Sequence, residues 1–288
     1  MHLFVSSLGF GIIVAAVLLV ATVGFTLQYA ISGVFNLAYG AIMGVAMLIA
    51  YLCNSAGLNI WLCVLIVAVV GAVLSWALER GIVRPMLGRG ATSWVMMIAT
   101  FAVGIIISVT MLATWGPGFS SYRLPGGDHA WGWLNFTTDQ GWIVIIAVAA
   151  AFGVWLVLHL TELGRAMRAS AANPVLARSC GIRTEKILSL TWLGSGALCG
   201  AGGALLAVDI GSFTYSSWES FLPLIIAAAI VGGIGAPEGA MAGALLIGIV
   251  SSVASGFLTP EYQDVIALGV LVVALLFRPT GLFAVGTA

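Results

Sequence analysis

Little in this chain is equipped to make or break a covalent bond. The histidines His2, His129 and His159 stand far apart, with no spacing that would close a metal site. The cysteines Cys53, Cys63, Cys180 and Cys199 match neither a disulfide framework nor a zinc pattern. No serine sits in a nucleophile-elbow motif. A phosphate-binding loop needs Gly-x-x-x-x-Gly-Lys-Ser/Thr, whose lysine reaches the phosphates. The sole lysine, Lys186, lacks those glycines and is followed by isoleucine. No catalytic residue, no metal ligand and no cofactor are therefore expected on this chain, and any ATP chemistry must come from another polypeptide.

What stands out instead is polar or glycine-rich sequence in apolar surroundings. Asn36 and Tyr39 lie in a stretch with no Asp, Glu, Lys or Arg before Glu79, where an unpaired polar group is costly. Asn36–Met47 reads NLAYGAIMGVAM and Ala236–Leu246 reads APEGAMAGALL; both hold a G-A-x-x-G core, at Gly40–Gly44 and Gly239–Gly243. Each is followed later by Arg-Pro and a glycine, Arg84-Pro85 with Gly88 and Arg278-Pro279 with Gly281. Two readings fit. Small residues four apart pack helices, and Asn36 and Tyr39 then make helix-to-helix hydrogen bonds while Glu238 is a turn carboxylate. Alternatively, interrupted segments at matching places in two halves mark a transport pathway. On that reading Asn36, Tyr39, Gly40, Gly44, Gly232, Gly233, Gly235, Glu238 and Gly239 line it.

The elements that position these residues must be membrane helices. Hydrophobic residues make up 61% of the 288 and charged ones 7%, against about a quarter charged in soluble domains. A span needs about 20 apolar residues, and the charge clusters leave room for nine, near 8–30, 34–52, 59–78, 92–114, 141–160, 187–208, 221–234, 240–258 and 263–277. The first has no basic flank and is too long for a signal h-region, so a retained span is expected. The fold expected is all-α, a polytopic transmembrane bundle of about 8–9 spans over 1–288, with interrupted or re-entrant segments near 34–44 and 221–240.

Orientation follows from basic residues. Arg80, Arg84, Arg89, Arg165, Arg168, Arg178, Arg183, Lys186 and Arg278 fall on one side and only Arg123 on the other. The positive-inside rule makes the first side cytoplasmic, with the N-terminus external, the C-terminus cytoplasmic and an external loop at 115–140. Tryptophans form matching belts, Trp76, Trp94 and Trp192 inside and Trp61, Trp115, Trp142 and Trp218 outside. Zero net charge argues against nucleic acid as a partner. Every Asp and Glu falls at a span end or in a loop, which argues against an ion-coupled secondary transporter.

The largest cytoplasmic loop, 161–186, reads TELGRAMRASAANPVLARSCGIRTEK. Asn173 suits an N-cap, Pro174 the first helical position and Gly181 the C′ position. The spacing predicts a short helix over Pro174–Cys180, too short to persist alone in water. Its small apolar residues Val175, Leu176 and Ala177 suit a partner's groove; a helix lying on the bilayer with its arginines at headgroups fits equally.

The chain resembles the permease family of bacterial branched-chain amino acid ABC transporters, the H-type subunit. The resemblance rests on GVFNLAYGAIMGVAMLIAY, ERGIVRPMLGRG, GRAMRASAANPVLARSCGIRTEKI, VGGIGAPEGAMAGALLIG and PEYQDVIALGVLVVALLFRPTGLF, covering residues 20–284. The family's Asn-Ala stretch usually continues into His-Gly-Glu, where Tyr39, Gly40 and Ala41 stand here, and acidic residues common early in its coupling loop are missing around Ala172 and Val175. These departures bear on the solute rather than the family. The resemblance implies a non-enzymatic permease domain in a bacterial inner membrane, importing branched-chain amino acids or, as in some relatives, urea, amides or small organic acids. It implies a second homologous permease, two cytoplasmic ATPases that hold ATP and magnesium, and an external solute-binding protein. It also places the ATPase-coupling helix on Asn173, Pro174, Val175, Leu176, Ala177, Arg178 and Gly181.

Overall fold

The computed structural model describes residues 2–123, 137–214, 216–257, 262–278 and 281–282. Much of the expected external loop, and Pro279, lie outside the described residues. Among the described residues seven helices are long and apolar enough to cross a membrane. They are α1 (His2–Ser32), α2 (Ala38–Ser55), α3 (Ile60–Leu78), α5 (Ser93–Trp115), α6 (Thr138–Leu160), α9 (Thr184–Ile210) and α11 (Pro237–Phe257). Two shorter apolar helices, α10 (Phe221–Gly232) and α12 (Gln263–Phe277), bring the apolar segments to the nine expected.

Local chemistry sets several starts. The Asn59 side chain accepts from Trp61 N to begin α3, and Thr137 with Gln140 forms a full capping box for α6. One expected boundary is wrong. The third span does not stop at Leu78: it runs through a π turn, Glu79–Val83, into α4 (Arg84–Gly88). Pro85 is tolerated because it sits in the first turn of α4, where its missing N–H is no loss.

In the membrane, association relies on close backbone approach through small residues, and glycines mark each main crossing here. Gly71 meets Gly196 and Gly200 where α3 crosses α9, and Gly248 meets Ala15 where α1 crosses α11. Of one 18-residue apolar stretch in each span, 83% is buried in α1 against 22% in α5 and 17% in α6. The first helix is thus the central post, and α5 and α6 face outward. The pairings Ala15–Gly248 and Gly11–Ile249 make α11 antiparallel to α1. The contacts of Asn36 with Gln28 and Tyr39 with Ala21 do the same for α2. Both G-A-x-x-G helices therefore point the same way, as expected.

Three stretches leave the helical path. Residues 33–37 separate α1 from α2, with Gly33 at φ 64. Residues 233–236 separate α10 from α11, with Gly233 at φ 111 and Gly235 at φ 89. The third comprises 211–214 and 216–220. It begins with β2 (Ser212–Phe213), which pairs antiparallel with β1 (Ser120–Ser121) at the end of the bundle that carries Arg123. Trp218 then packs on Gly40 and Gly44. Because Gly203 of α9 lies against Met43, that depth is about 10–15 Å short of the end of α9 at Ile210, at 1.5 Å per residue. The chain re-enters the bundle before α10 starts. Trp218 is thus no part of the outer aromatic belt to which its position in a loop assigned it; it is a buried wedge, 9% exposed.

Candidate functional site

Around the first break, the backbone that gives up helical hydrogen bonds is served by side chains from other turns. The Asn36 Oδ1 accepts from Ala38 N (3.1 Å), and its Nδ2 donates to Gln28 Oε1 (3.2 Å). The Thr100 hydroxyl on α5 accepts from Leu37 N at 3.2 Å and lies 3.2 Å from Phe35 O. Tyr39 donates to Ala21 O at 2.9 Å, while its own carbonyl receives Cys199 Sγ at 3.2 Å. Asn36 and Tyr39 are both buried. Gly40 and Gly44 lie in the first turns of α2, where a side chain would strike the Trp218 ring.

The second break is closed by backbone approaching backbone. Gly232 faces Gly239, and Gly243 faces Ala228 and Gly232, so α10 and α11 close into a tight hairpin. Gly281 packs on Gly233, and Leu282 N donates to Val231 O at 2.8 Å, which seats the chain after α12 over the break. Glu238 opens α11, and its Oε1 lies 2.9 Å from His159 Nε2 at the end of α6. Beside them a small pocket of about 110 Å³ is lined by Arg168, Met167 and Gly235 among others. The structure thus places the nine residues that the sequence offered for a pathway in two groups, with Trp218 leaning on the first. Both groups flank α1, for Gly235 approaches Ala30.

At the end that carries most arginines, Thr161 Oγ1 accepts from Gly164 N (3.1 Å) to start α7 (Glu162–Ala172). Sequence reasoning did not single out this helix, although Leu163, Ala166, Met167 and Ser170 have the spacing of one apolar face. Asn173 Oδ1 then accepts from both Val175 N and Leu176 N, at 3.0 Å each, and α8 spans Pro174–Ser179. Gly181 follows at φ 85, and Ile182 N donates to Ala177 O to lock the exit. Val175 and Leu176 stand 71% and 62% exposed, whereas Ala177 is 4% exposed and faces the loop's own packing. The three small residues thus split: two present outward and one anchors. Arg178 Nε binds Thr184 Oγ1 at 2.7 Å, so it braces the loop against α9.

Two further groups escaped sequence reasoning. Glu79 is fully buried, yet its Oε1 lies 2.9 Å from Arg84 Nε and its Oε2 accepts from Ser189 Oγ at 2.9 Å. Arg84 also donates to Ser189 Oγ (2.7 Å) and to Glu185 O (3.0 Å). A spacing of five is not a helical pair, and only the π turn, in which Arg84 N donates to Glu79 O, makes it one. At the opposite end Tyr122 donates to Met47 O at 2.9 Å, and Asn54 holds Arg123 through both amide atoms. Burial and the neighbouring Tyr51 push the Tyr122 phenol well up from its ordinary value.

Comparison with known proteins places this architecture. Residues 7–275 match the family model described as branched-chain amino acid transport system / permease component. The high-affinity branched-chain amino acid transport system permease protein LivH of Escherichia coli K12 is 27% identical over 94% of this chain and 92% of its own length. The guanosine ABC transporter permease protein NupQ of Bacillus subtilis is 31% identical over 64% of this chain and 56% of its own. Among solved structures, PsaBC from Streptococcus pneumoniae in complex with Fab superposes with a TM-score of 0.51 at 13% identity, covering 94% of this chain and 91% of that one; this likeness concerns the fold alone.

Proposed function

Because the chain belongs to the family of branched-chain amino acid transport system permease components, we propose that it carries branched-chain amino acids across a bacterial inner membrane as one of two permeases. Two cytoplasmic ATPases bind ATP and magnesium and hydrolyse the ATP, and an external binding protein delivers the solute. The basic end of the bundle is cytoplasmic by the positive-inside rule, which leaves the N-terminus outside and the C-terminus inside. The two broken hairpins, α1–α2 and α10–α11, flank the pathway, and the residues around them, from Asn36 to Gly44 and from Gly232 to Gly239, shape it.

The observation that carries this reading is α8. A six-residue helix capped at both ends, braced by Arg178 on Thr184, presents two apolar side chains outward at the basic end. Val175 and Leu176 stand largely uncovered among the described residues, so α8 suits a groove on an ATPase and transmits displacement stiffly. Because Ala177 packs inward, a charge there would damage the loop itself; Leu176 is the clean probe. Leu176→Glu should leave the permease inserted and folded while the ATPases dissociate or hydrolyse ATP without solute uptake. Co-purification and coupled uptake in proteoliposomes check it, and normal leucine uptake with bound ATPase would refute the assignment.

The argument against an ion-coupled carrier from the placement of acids weakens, since Glu79 is fully buried in the bundle and Glu219 follows the buried Trp218. Family membership supports the ATP-driven reading instead.

A further inference from the structure

Glu219 is a loop residue by sequence, but the loop has re-entered the bundle before reaching it. Its neighbour Trp218 packs on Gly40 and Gly44, and Phe221 begins α10 two residues later. The side chain opens into a groove of about 390 Å³ between α5 and the start of α10, lined by Phe101, Ile105, Leu112 and Trp218 among others. The α5 residues of this groove stop short of the helix end at Trp115, so Glu219 lies within the apolar thickness.

Among the described residues no cation or hydrogen-bond donor meets the Glu219 carboxylate, and the residue is exposed in the single chain. A carboxylate at that depth cannot stably face hydrocarbon; such residues face a water-filled cavity or a partner. The α5–α10 face is therefore not a lipid face. The rest of the groove is almost wholly apolar, and its one hydroxyl, on Ser108, is occupied by Gly104 O at 3.0 Å. An apolar trough with a single acidic group matches a small molecule that carries an ammonium on an aliphatic body.

We propose that Glu219 faces the water-filled passage shared with the second permease and receives the ammonium group of the passing solute. This rests on the permease reading above and adds to it the residue that meets the solute's ammonium. The test uses the complete transporter, with its partner permease, ATPases and binding protein, in proteoliposomes with leucine as probe. Glu219→Gln should lower leucine uptake about tenfold or more, the worth of a hydrogen bond to a charged group, while binding-protein-stimulated ATP hydrolysis persists. Glu219→Asp should recover most of the uptake. In the same complex Glu219→Cys should react with a water-soluble maleimide beyond the wild-type background. Unchanged uptake by Glu219→Gln, or no added labelling, overturns the proposal. Dissociation of the permease pair in Glu219→Gln overturns it as well, by showing that the carboxylate pairs with a cation of the partner. If the wild-type complex takes up no leucine, the permease reading fails, while the labelling result still reports whether Glu219 meets water.

Discussion

The two breaks in this bundle follow the same sequence pattern yet are held open by opposite means. At 33–37 the freed backbone is knitted by side chains: Asn36 to Ala38 and Gln28, and Thr100 to Leu37 and Phe35. At 233–236 no side chain is enlisted in that way; Gly232, Gly239 and Gly243 bring backbone onto backbone, and the turn rests on positive φ at Gly233 and Gly235. The first solution depends on the polarity of its side chains. The second tolerates neither bulk nor a Cβ. A G-A-x-x-G core is thus a statement about approach distance, and what approaches differs: an indole ring at Gly40 and Gly44, a helix backbone at Gly239 and Gly243.

The contrast yields a ranked set of outcomes. Gly243→Val should be the most damaging, because its Cβ would enter the space of Ala228 O and Gly232 N, which cannot move without opening the hairpin. We expect little folded protein, measured as monodisperse yield after detergent extraction. Gly40→Leu should be milder for folding. It meets the ring of Trp218 and Leu222 rather than backbone, so the protein should assemble with transport impaired as the wedge is displaced. Comparing uptake with ATP hydrolysis in the reconstituted complex would register this, and equal loss of folded yield for both variants would erase the distinction. Asn36→Ala should be smallest. It leaves Ala38 N and Gln28 Oε1 without their partner, at about 1–3 kcal/mol for a buried unsatisfied group. A lowered melting temperature with near-normal expression checks it.

Much of this was legible in the sequence. Nine apolar segments fell where nine apolar helices stand among the described residues, because the charge clusters that interrupt them cannot enter hydrocarbon. The α8 cap was readable since Asn173, Pro174 and Gly181 act on their nearest neighbours. The Asn36 and Tyr39 side chains were flagged as buried polar groups, and hydrogen bonds to Gln28 and Ala21 of α1 satisfy them. What was not legible is depth. The run GSFTYSSWES has the composition of an external loop, and only its contacts with α2 reveal that it descends. Nor could the sequence show that Ala177 turns inward while its neighbours turn out. A helix of six residues has too little periodicity to orient itself, and the exit bond from Ile182 decides it. The end of α3 was misjudged for a related reason: Glu79 and Arg84 read as a charged boundary, whereas a π turn lets them neutralise each other and carry the helix on.

That π turn also bears on how the chain is made. Glu79 emerges from the ribosome roughly a hundred residues before Ser189, and it ends buried with Ser189 as one of its partners. An acidic group left alone at the end of a nascent span would be drawn toward water and hold α3 out of place. The five-residue step supplies Arg84 from the same short segment, at 2.9 Å from the carboxylate. The third span can therefore settle in the bilayer as an internally neutral piece and wait for α9 to complete the cluster when its turn for synthesis comes.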